Sequence, residues 1–260
     1  MFLSLLSGST GNCSIVSDGS TTLLTDCGLS ASHLDSLLGA VGISPLDITA
    51  ILITHEHTDH IKGAGVVSRK YGLPVFATCG THSAMLKARI ADENIMNVYP
   101  DKDFEIGSIG IRAFSIPHDA AEPVGYNFFL GGKKLSVATD IGYMNSYILD
   151  HIKGSTAVIL ESNHDIEMLK NGRYPEQLKR RILGNFGHLS NRDAADTALT
   201  LLKSGTRHIM LAHLSADNNT PRTAIMETAN LAAENGFTPG KDFSLSVANR
   251  FTPTNFLAPK

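Results

Sequence analysis

His55-Glu56-His57-Thr58-Asp59-His60 sets three imidazoles and Asp59 within six residues, directly after the largely apolar run 48–53. Histidine is the commonest side-chain metal ligand, and a nearby carboxylate suits a hard divalent ion. The spacing is H-x-H-x-D-H, which differs from the H-E-x-x-H of a zinc-protease helix. His55 and His57 are two residues apart, so in an extended chain they project to the same side. Asp59 and His60 follow where the chain would turn into a helix. One short loop could therefore feed two neighbouring metal positions.

Four further polar residues stand just past apolar strands, where a rigid scaffold can hold chemistry. His118 follows 113–117, Asp140 follows 135–139, Glu161 ends 157–160, and His213 follows 208–212. Any one of them alone could be an ordinary buried, hydrogen-bonded side chain. Together with the loop they supply ligands for two metals.

The elements that must position these residues alternate along the chain. Short strands are expected at 2–6, 13–17 and 21–25, and a helix at 30–39. A buried strand at 48–53 precedes the histidine loop. Helices are expected at 62–71 and 81–91, with a short strand at 75–77 between them. Residues 104–139 read mostly as strand, turning at Gly107, Pro117 and Gly131-Gly132. Helices follow at 145–152, 164–171, 175–183, 191–204 and 221–235, with strands at 157–161, 207–212 and 243–248. Strands, a helix, more strands and then more helices is an α/β (α+β) order that departs from simple βαβ alternation. It predicts two mixed β-sheets face to face with helices on the outer faces. No repeat, low-complexity tract or long linker interrupts it, so a single domain over 1–260 is expected.

Composition bounds the alternatives. With 42% hydrophobic and 18% charged residues, the 260-residue chain is long and apolar enough to bury a core without staples. Cys13, Cys27 and Cys79 are scattered and form no CxxC pair, which argues against a thiolate metal site or a disulfide framework. The apolar start 1–6 reads as a first strand, and no run is long enough to span a bilayer, so a cytoplasmic protein without a membrane partner is expected. Formal net charge is −3, which argues against a surface coated in positive charge for bulk nucleic-acid binding. A local basic patch could still hold phosphates.

The H-x-H-x-D-H loop, followed by an isolated His, an Asp and a last His after strands, resembles the metallo-β-lactamase superfamily over nearly the whole chain. The resemblance implies an αββα sandwich. It implies His55, His57 and His118 on one metal, Asp59, His60 and His213 on the other, and Asp140 bridging them. Asp26, in Leu23-Leu24-Thr25-Asp26-Cys27-Gly28, matches the superfamily's early aspartate, a structural support for the metal loop. Two divalent ions would hold a hydroxide and a substrate oxygen together, with Asp59 orienting the hydroxide. Zn2+ and Mn2+ both suit this donor set.

Three features narrow the branch. The turn Ser7-Gly8-Ser9-Thr10-Gly11-Asn12 resembles that of YycJ (WalJ)-type proteins and ribonuclease Z relatives, and such a turn could form an anion nest with Ser9 and Asn12 on the substrate. Glu161 with Gly187-His188-Leu189-Ser190-Asn191 resembles ribonuclease Z-type phosphodiesterases, where a glutamate-held histidine stabilises charge or protonates the leaving oxygen. His164, just after Glu161, is a further substrate-contact candidate. Lastly, Lys179, Arg180 and Arg181 lie on a helix whose Leu178 and Ile182 should face the core, leaving the three cations free for phosphate contacts.

About seventy residues separate Asp140 from His213, too few for the inserted domain of β-CASP nucleases. No ribonuclease Z flexible arm is evident, nor a glyoxalase II helical tail. The resemblance therefore implies a metal-dependent 5′→3′ exodeoxyribonuclease acting on single-stranded or gapped DNA by hydroxide attack on phosphorus. The alternatives are a small-molecule cyclic phosphodiesterase, an RNA-processing nuclease, and a non-catalytic metal-holding regulatory or DNA-binding protein. Protein partners are not readable.

Overall fold

The structure is a computed structural model, and it describes residues 1–257, without the side chain of Leu257. Although the sequence reads as one continuous domain, the backbone falls into two compact units. The first comprises Met1–Ser115, Ala120–Gly132 and the segment from Asn249. The second comprises Ile116–Asp119 and Lys133–Ala248.

In the first unit, the strands β1 (Phe2–Leu6), β2 (Cys13–Ser17) and β3 (Thr22–Thr25) come before helix α1 (Ala31–Ala40). Next come β4 (Ala50–Leu52), the single turn α2 (Thr58–Ile61) and α3 (Ala64–Tyr71). β5 (Val75–Ala77), α4 (Cys79–Ala84) and β6 (Ile95–Asn97) follow. The unit continues with β7 (Asp103–Ile106), β8 (Ile109–Ser115) and β9 (Val124–Leu130).

A strand at Thr254–Leu257 flanks β1, and the sheet then runs β1-β2-β3-β4-β5-β6. Pairing is antiparallel as far as β3 and parallel from β3 to β6. Of the parallel strands, β3 and β4 are short and fully buried, as strands covered on both faces must be. Leu24, Ile51 and Val75 from these strands, with Ile53 just past β4, pack with Leu34, Leu38 and Val67 from the helices. β7, β8 and β9 form an antiparallel meander. Tyr126 of β9 donates its hydroxyl to the Ile53 carbonyl at 2.9 Å, bracing the strand end that leads into the histidine loop.

The second unit alternates strand and helix. β10 (Lys133–Ala138), α5 (Ser146–Ile152) and β11 (Ala157–Glu161) come first. Then come α6 (Ile166–Asn171), α7 (Glu176–Leu183) and α8 (Asn191–Lys203). β12 (His208–Ala212), α9 (Pro221–Glu234) and β13 (Ser244–Val247) close it. The four strands are parallel in the order β10-β11-β12-β13. Ala138 sits beside Leu160, and Glu161 beside Ala212, so the loops that leave β10, β11 and β12 start from one edge. Open parallel sheets place their chemistry at this carboxyl edge.

Side chains start the helices where expected. Asn145, Asp165, Ser190 and Thr220 each accept an amide of the first turn, of Ile148, Met168, Asp193 and Thr223 respectively. Two expectations shift. The helix read at 62–71 is preceded by its own turn, α2, inside the histidine motif, and that at 81–91 ends at Ala84 and continues as a 3-10 turn, Leu86–Ala88. β6 and the strand Thr254–Leu257 were not legible in the periodicity. β6 is three largely exposed residues at a sheet edge, and so has no buried face to pattern. Among the described residues no helix is long and apolar enough to cross a membrane.

Candidate metal centre

In the first unit the histidine loop turns tightly. His57 immediately precedes α2 in an extended conformation, and Asp59 and His60 sit within its single turn. The His55 ring lies 4.6 Å from the His57 ring and 4.1 Å from the His60 ring, centroid to centroid. Asp26 holds the loop from below. Its carboxylate accepts from the Thr54 amide at 2.8 Å and from the Thr54 hydroxyl at 3.0 Å, and it meets His60 Nδ1 at 2.8 Å. Thr54 Oγ1 also lies 3.0 Å from His55 Nδ1. A carboxylate and an already donating hydroxyl can only accept from these rings, so both carry their proton on Nδ1 and present Nε2 as the ligand atom.

Asp26 takes a left-handed backbone conformation, φ 62°. Such a position in a non-glycine residue costs on the order of 1–3 kcal/mol and persists only where its surroundings hold it. The backbone bond from Asp26 N–H to the Leu52 carbonyl, 2.7 Å, is part of that hold. Gly28 brings the chain still closer to the loop, because a Cβ there would lie 1.6 Å from the Asp59 carbonyl oxygen.

Asn12 departs from expectation. It is buried and faces the histidine loop, where Nδ2 donates to Asp59 Oδ2 at 3.1 Å and lies 3.1 Å from His60 Nε2. Its amide donates to the Asp59 carbonyl at 2.8 Å. The amides of Gly8 and Gly11 are also satisfied within the turn, by Asn12 Oδ1 and the Gly8 carbonyl. With the Gly8, Gly11 and Asn12 amides committed in this way, fewer donors of the turn are left to face an anion. Ser9 alone of the two substrate candidates there stays exposed.

In the second unit the donors come from separate loops gathered by Glu161. Glu161 is fully buried. Its Oε1 meets His188 Nδ1 at 2.8 Å and His213 Nδ1 at 2.9 Å, and its Oε2 accepts the amides of Ile141 at 2.8 Å and Leu189 at 3.0 Å. Burial pushes the Glu161 carboxyl up, but His188 and then His213 outweigh it and hold the group below the usual carboxylate range. One ligand atom from each of Asp140, Glu161, His188 and His213 lies within 4.8 Å of the others. Asp140 (φ 60°) and His213 (φ 57°) share the left-handed conformation of Asp26. The Asn163 side chain donates to the His213 carbonyl at 2.9 Å, and Asn219 binds the carbonyls of Ser162 and Asn163 beside it.

His118 is buried, and its Nδ1 lies 3.0 Å from the Gly187 carbonyl. A carbonyl only accepts, so His118 too presents Nε2. Burial lowers its pKa, favouring the neutral ligand form. Backbone bonds lace the loops of this unit together, from Gly142 N–H to the Pro117 carbonyl at 2.7 Å and from Asp119 N–H to Phe186 at 3.2 Å. His55, His60, His118 and His213 thus each have Nδ1 held by an oxygen, the arrangement common among histidines that bind a divalent metal.

Two basic residues are not where the sequence put them. Lys179 is 9% exposed, and its ammonium donates to the Lys170 carbonyl at 2.7 Å and Glu176 at 3.0 Å. Arg181 forms a two-pronged pair with Asp119. The helix is short, so Lys179, one residue after Leu178, falls on its inner side. Arg180 and Arg181 are both exposed, and Arg181 is the one paired with Asp119. His164 is only 1% exposed and has neither ring nitrogen paired, so it is a buried ring and not an open substrate contact. Sequence reasoning did not find Thr54, the second partner of Glu161 or the Asn163–Asn219 network. Only Asn191, in the G-H-L-S-N string, hinted at the last, and its side chain bonds Asn219 at 2.9 Å.

Residues 21–214 match the β-lactamase superfamily domain. The chain is 41% identical to the exodeoxyribonuclease YycJ of Bacillus anthracis, with 97% of each chain covered. It is 38% identical to the exodeoxyribonuclease WalJ of Streptococcus pneumoniae serotype 2, covering 96% of this chain and 94% of that one. Among solved structures, the metallo-β-lactamase fold protein YhfI from Bacillus subtilis superposes with a TM-score of 0.70 at 15% identity, covering 97% and 98% of the two chains, a likeness of fold. With its mixed sheets, its helices and its clustered His and Asp donors for divalent metal, the chain belongs to the metallo-β-lactamase superfamily and is a metallo-hydrolase.

Proposed function

We propose that this protein is a two-metal phosphodiesterase that degrades single-stranded or gapped DNA from its 5′ end. His55, His57 and His118 would hold one metal, and Asp59, His60 and His213 the other, with Asp140 shared. Zn2+ and Mn2+ both suit these donors. Such a metal pair supplies Lewis-acid charge and an activated water for in-line displacement at phosphorus. Asp59, steadied by Asn12, would orient that water. With its Nδ1–H committed to Glu161, His188 would donate to the leaving oxygen from Nε2 as the imidazolium, the form that carries a proton on both nitrogens. DNA as substrate would place the work in the cytoplasm.

The observation that carries the reading is the Glu161 hub. One buried carboxylate aligns both a metal ligand, His213, and a histidine outside the ligand set, His188. A protein that only holds metal has no need of the second. The names of the relatives supply the choice of DNA and of an exonuclease. The internal pairing of Lys179 and Arg181 favours the rival small-ester reading, since it removes cations expected to meet a polynucleotide.

Labelled single strands of DNA and RNA, with 5′-phosphate or 5′-hydroxyl ends, should be offered to protein reloaded with Mn2+ or Zn2+. Processive loss of 5′ nucleotides from DNA is expected. Arg180→Glu should weaken DNA cleavage several-fold and leave bis-p-nitrophenyl phosphate hydrolysis unchanged. Turnover of the small ester with intact DNA and RNA would establish the rival instead.

A further inference from the structure

The second unit holds a pocket of about 440 Å3 that the proposed chemistry does not use. Its lining includes Tyr143, Met144, Leu183, Asn185, Asp193 and Thr197. Tyr143 and Met144 belong to the loop that carries Asp140, and Asn185 to the loop that carries His188. The two loops meet backbone to backbone, for a Cβ on Gly142 would lie 2.1 Å from the Asn185 carbonyl oxygen. The same loops are bonded to the His118 segment through Gly142 and Phe186. The pocket is therefore fixed with respect to His118, Asp140 and His188.

Its chemistry says what fits. Tyr143 is 45% exposed and Leu183 46%, which is a large apolar surface to leave open. Phe186, next to Asn185, is 61% exposed. The polar part is Asn185, Asp193, Asp196, Thr197 and Thr200, and no lining residue is a lysine or arginine. Carboxylates repel phosphate and accept N–H donors. A flat group with ring faces to stack and amino hydrogens to donate answers both halves of this lining. The volume lies within the range of small-ligand sites.

We propose that this pocket receives one unstacked nucleobase of the DNA strand, that of the nucleotide next to the scissile phosphate, with Tyr143 as its stacking platform. This rests on the exonuclease reading above and adds to it a built-in demand for an unpaired base. A base still in a duplex stack presents no free face to Tyr143. The preference for single-stranded or gapped DNA would then come from the pocket, and the phosphate would remain with the metals and His188.

The test uses oligonucleotides with a single abasic tetrahydrofuran residue at the first, second or third nucleotide from the 5′ end. Wild-type protein should lose roughly 5- to 100-fold in kcat/KM on one of the three, the range of one base–aromatic stack. Tyr143→Ala should lose a similar factor on the intact strand and be indifferent to the abasic residue, while Tyr143→Phe should behave as wild type. Leu46→Ala, at an exposed site in the other unit, serves as control. Equal rates on all four strands, or full discrimination kept by Tyr143→Ala, would overturn the pocket and leave the exonuclease intact. If wild-type protein cleaves none of them, the exonuclease reading falls first. Equilibrium binding of the same fluorescent strands to chelator-treated protein then decides the pocket, with weaker binding of one abasic strand supporting it and equal binding overturning it.

Discussion

The two compact units present their candidate metal donors in opposite ways. The first draws four of them, His55, His57, Asp59 and His60, from one loop and its single helical turn. The second draws His118, Asp140 and His213 from loops far apart in sequence; Glu161 holds His213 and the amide next to Asp140, and the Gly187 carbonyl holds His118. A contiguous loop needs only local geometry, and Asp26 with Thr54 suffices to aim it. A dispersed set needs a buried hub and a parallel sheet whose register brings the strand ends to one edge. The dispersed set should therefore be the more fragile.

The largest effect should follow from removing the hub. Glu161→Ala strands two imidazoles and two amides in a buried place, so it should lower stability by about 3–5 kcal/mol and phosphodiester turnover by about 10²–10⁴-fold. Chemical denaturation and steady-state kinetics on the same preparation measure both. A soluble, fully active Glu161→Ala protein would remove the distinction between the units. In the first unit, Asp26→Asn leaves the loop's own turn in place and should cost less, about 10- to 100-fold in metal affinity, by competition with a chromogenic chelator. If Asp26→Asn proves the worse of the two, the comparison is inverted.

A smaller effect separates ligands from neighbours. Burial lowers the His164 pKa from 6.5 to about 4. The folded protein thus resists a proton that the unfolded chain accepts. The contribution of His164 to stability should be complete above about pH 6.5 and be lost as pH falls from there toward 4. His164→Asn should flatten that part of the stability profile in metal-free protein, measured as thermal midpoint against pH. An unchanged profile would mean that His164 does not titrate in that window.

This contrast also explains what could be read before the structure. The histidine loop was legible because its ligands are neighbours in sequence and their types have few other uses. The strand-end residues were legible because β10, β11 and β12 are apolar runs that each stop at a polar side chain. Glu161 was read as the partner of His188 alone. Its bond to His213 spans 52 residues, and no local pattern reports such a contact. The left-handed backbones of Asp26, Asp140 and His213 were likewise hidden, since none of the three is glycine. The basic stretch misled because charge alone does not say which face of a short helix turns inward, and Lys179 turns inward to cap a neighbouring carbonyl.

We propose that both donor sets serve one two-metal phosphodiesterase. Titrating metal-free protein with Mn2+ while following single-strand DNA cleavage tests it most directly. Activity should rise until about two equivalents are bound, the stoichiometry of a two-metal site, and should be abolished by Asp59→Ala. Full activity at one equivalent, or an Asp59→Ala protein as active as wild type, would contradict it.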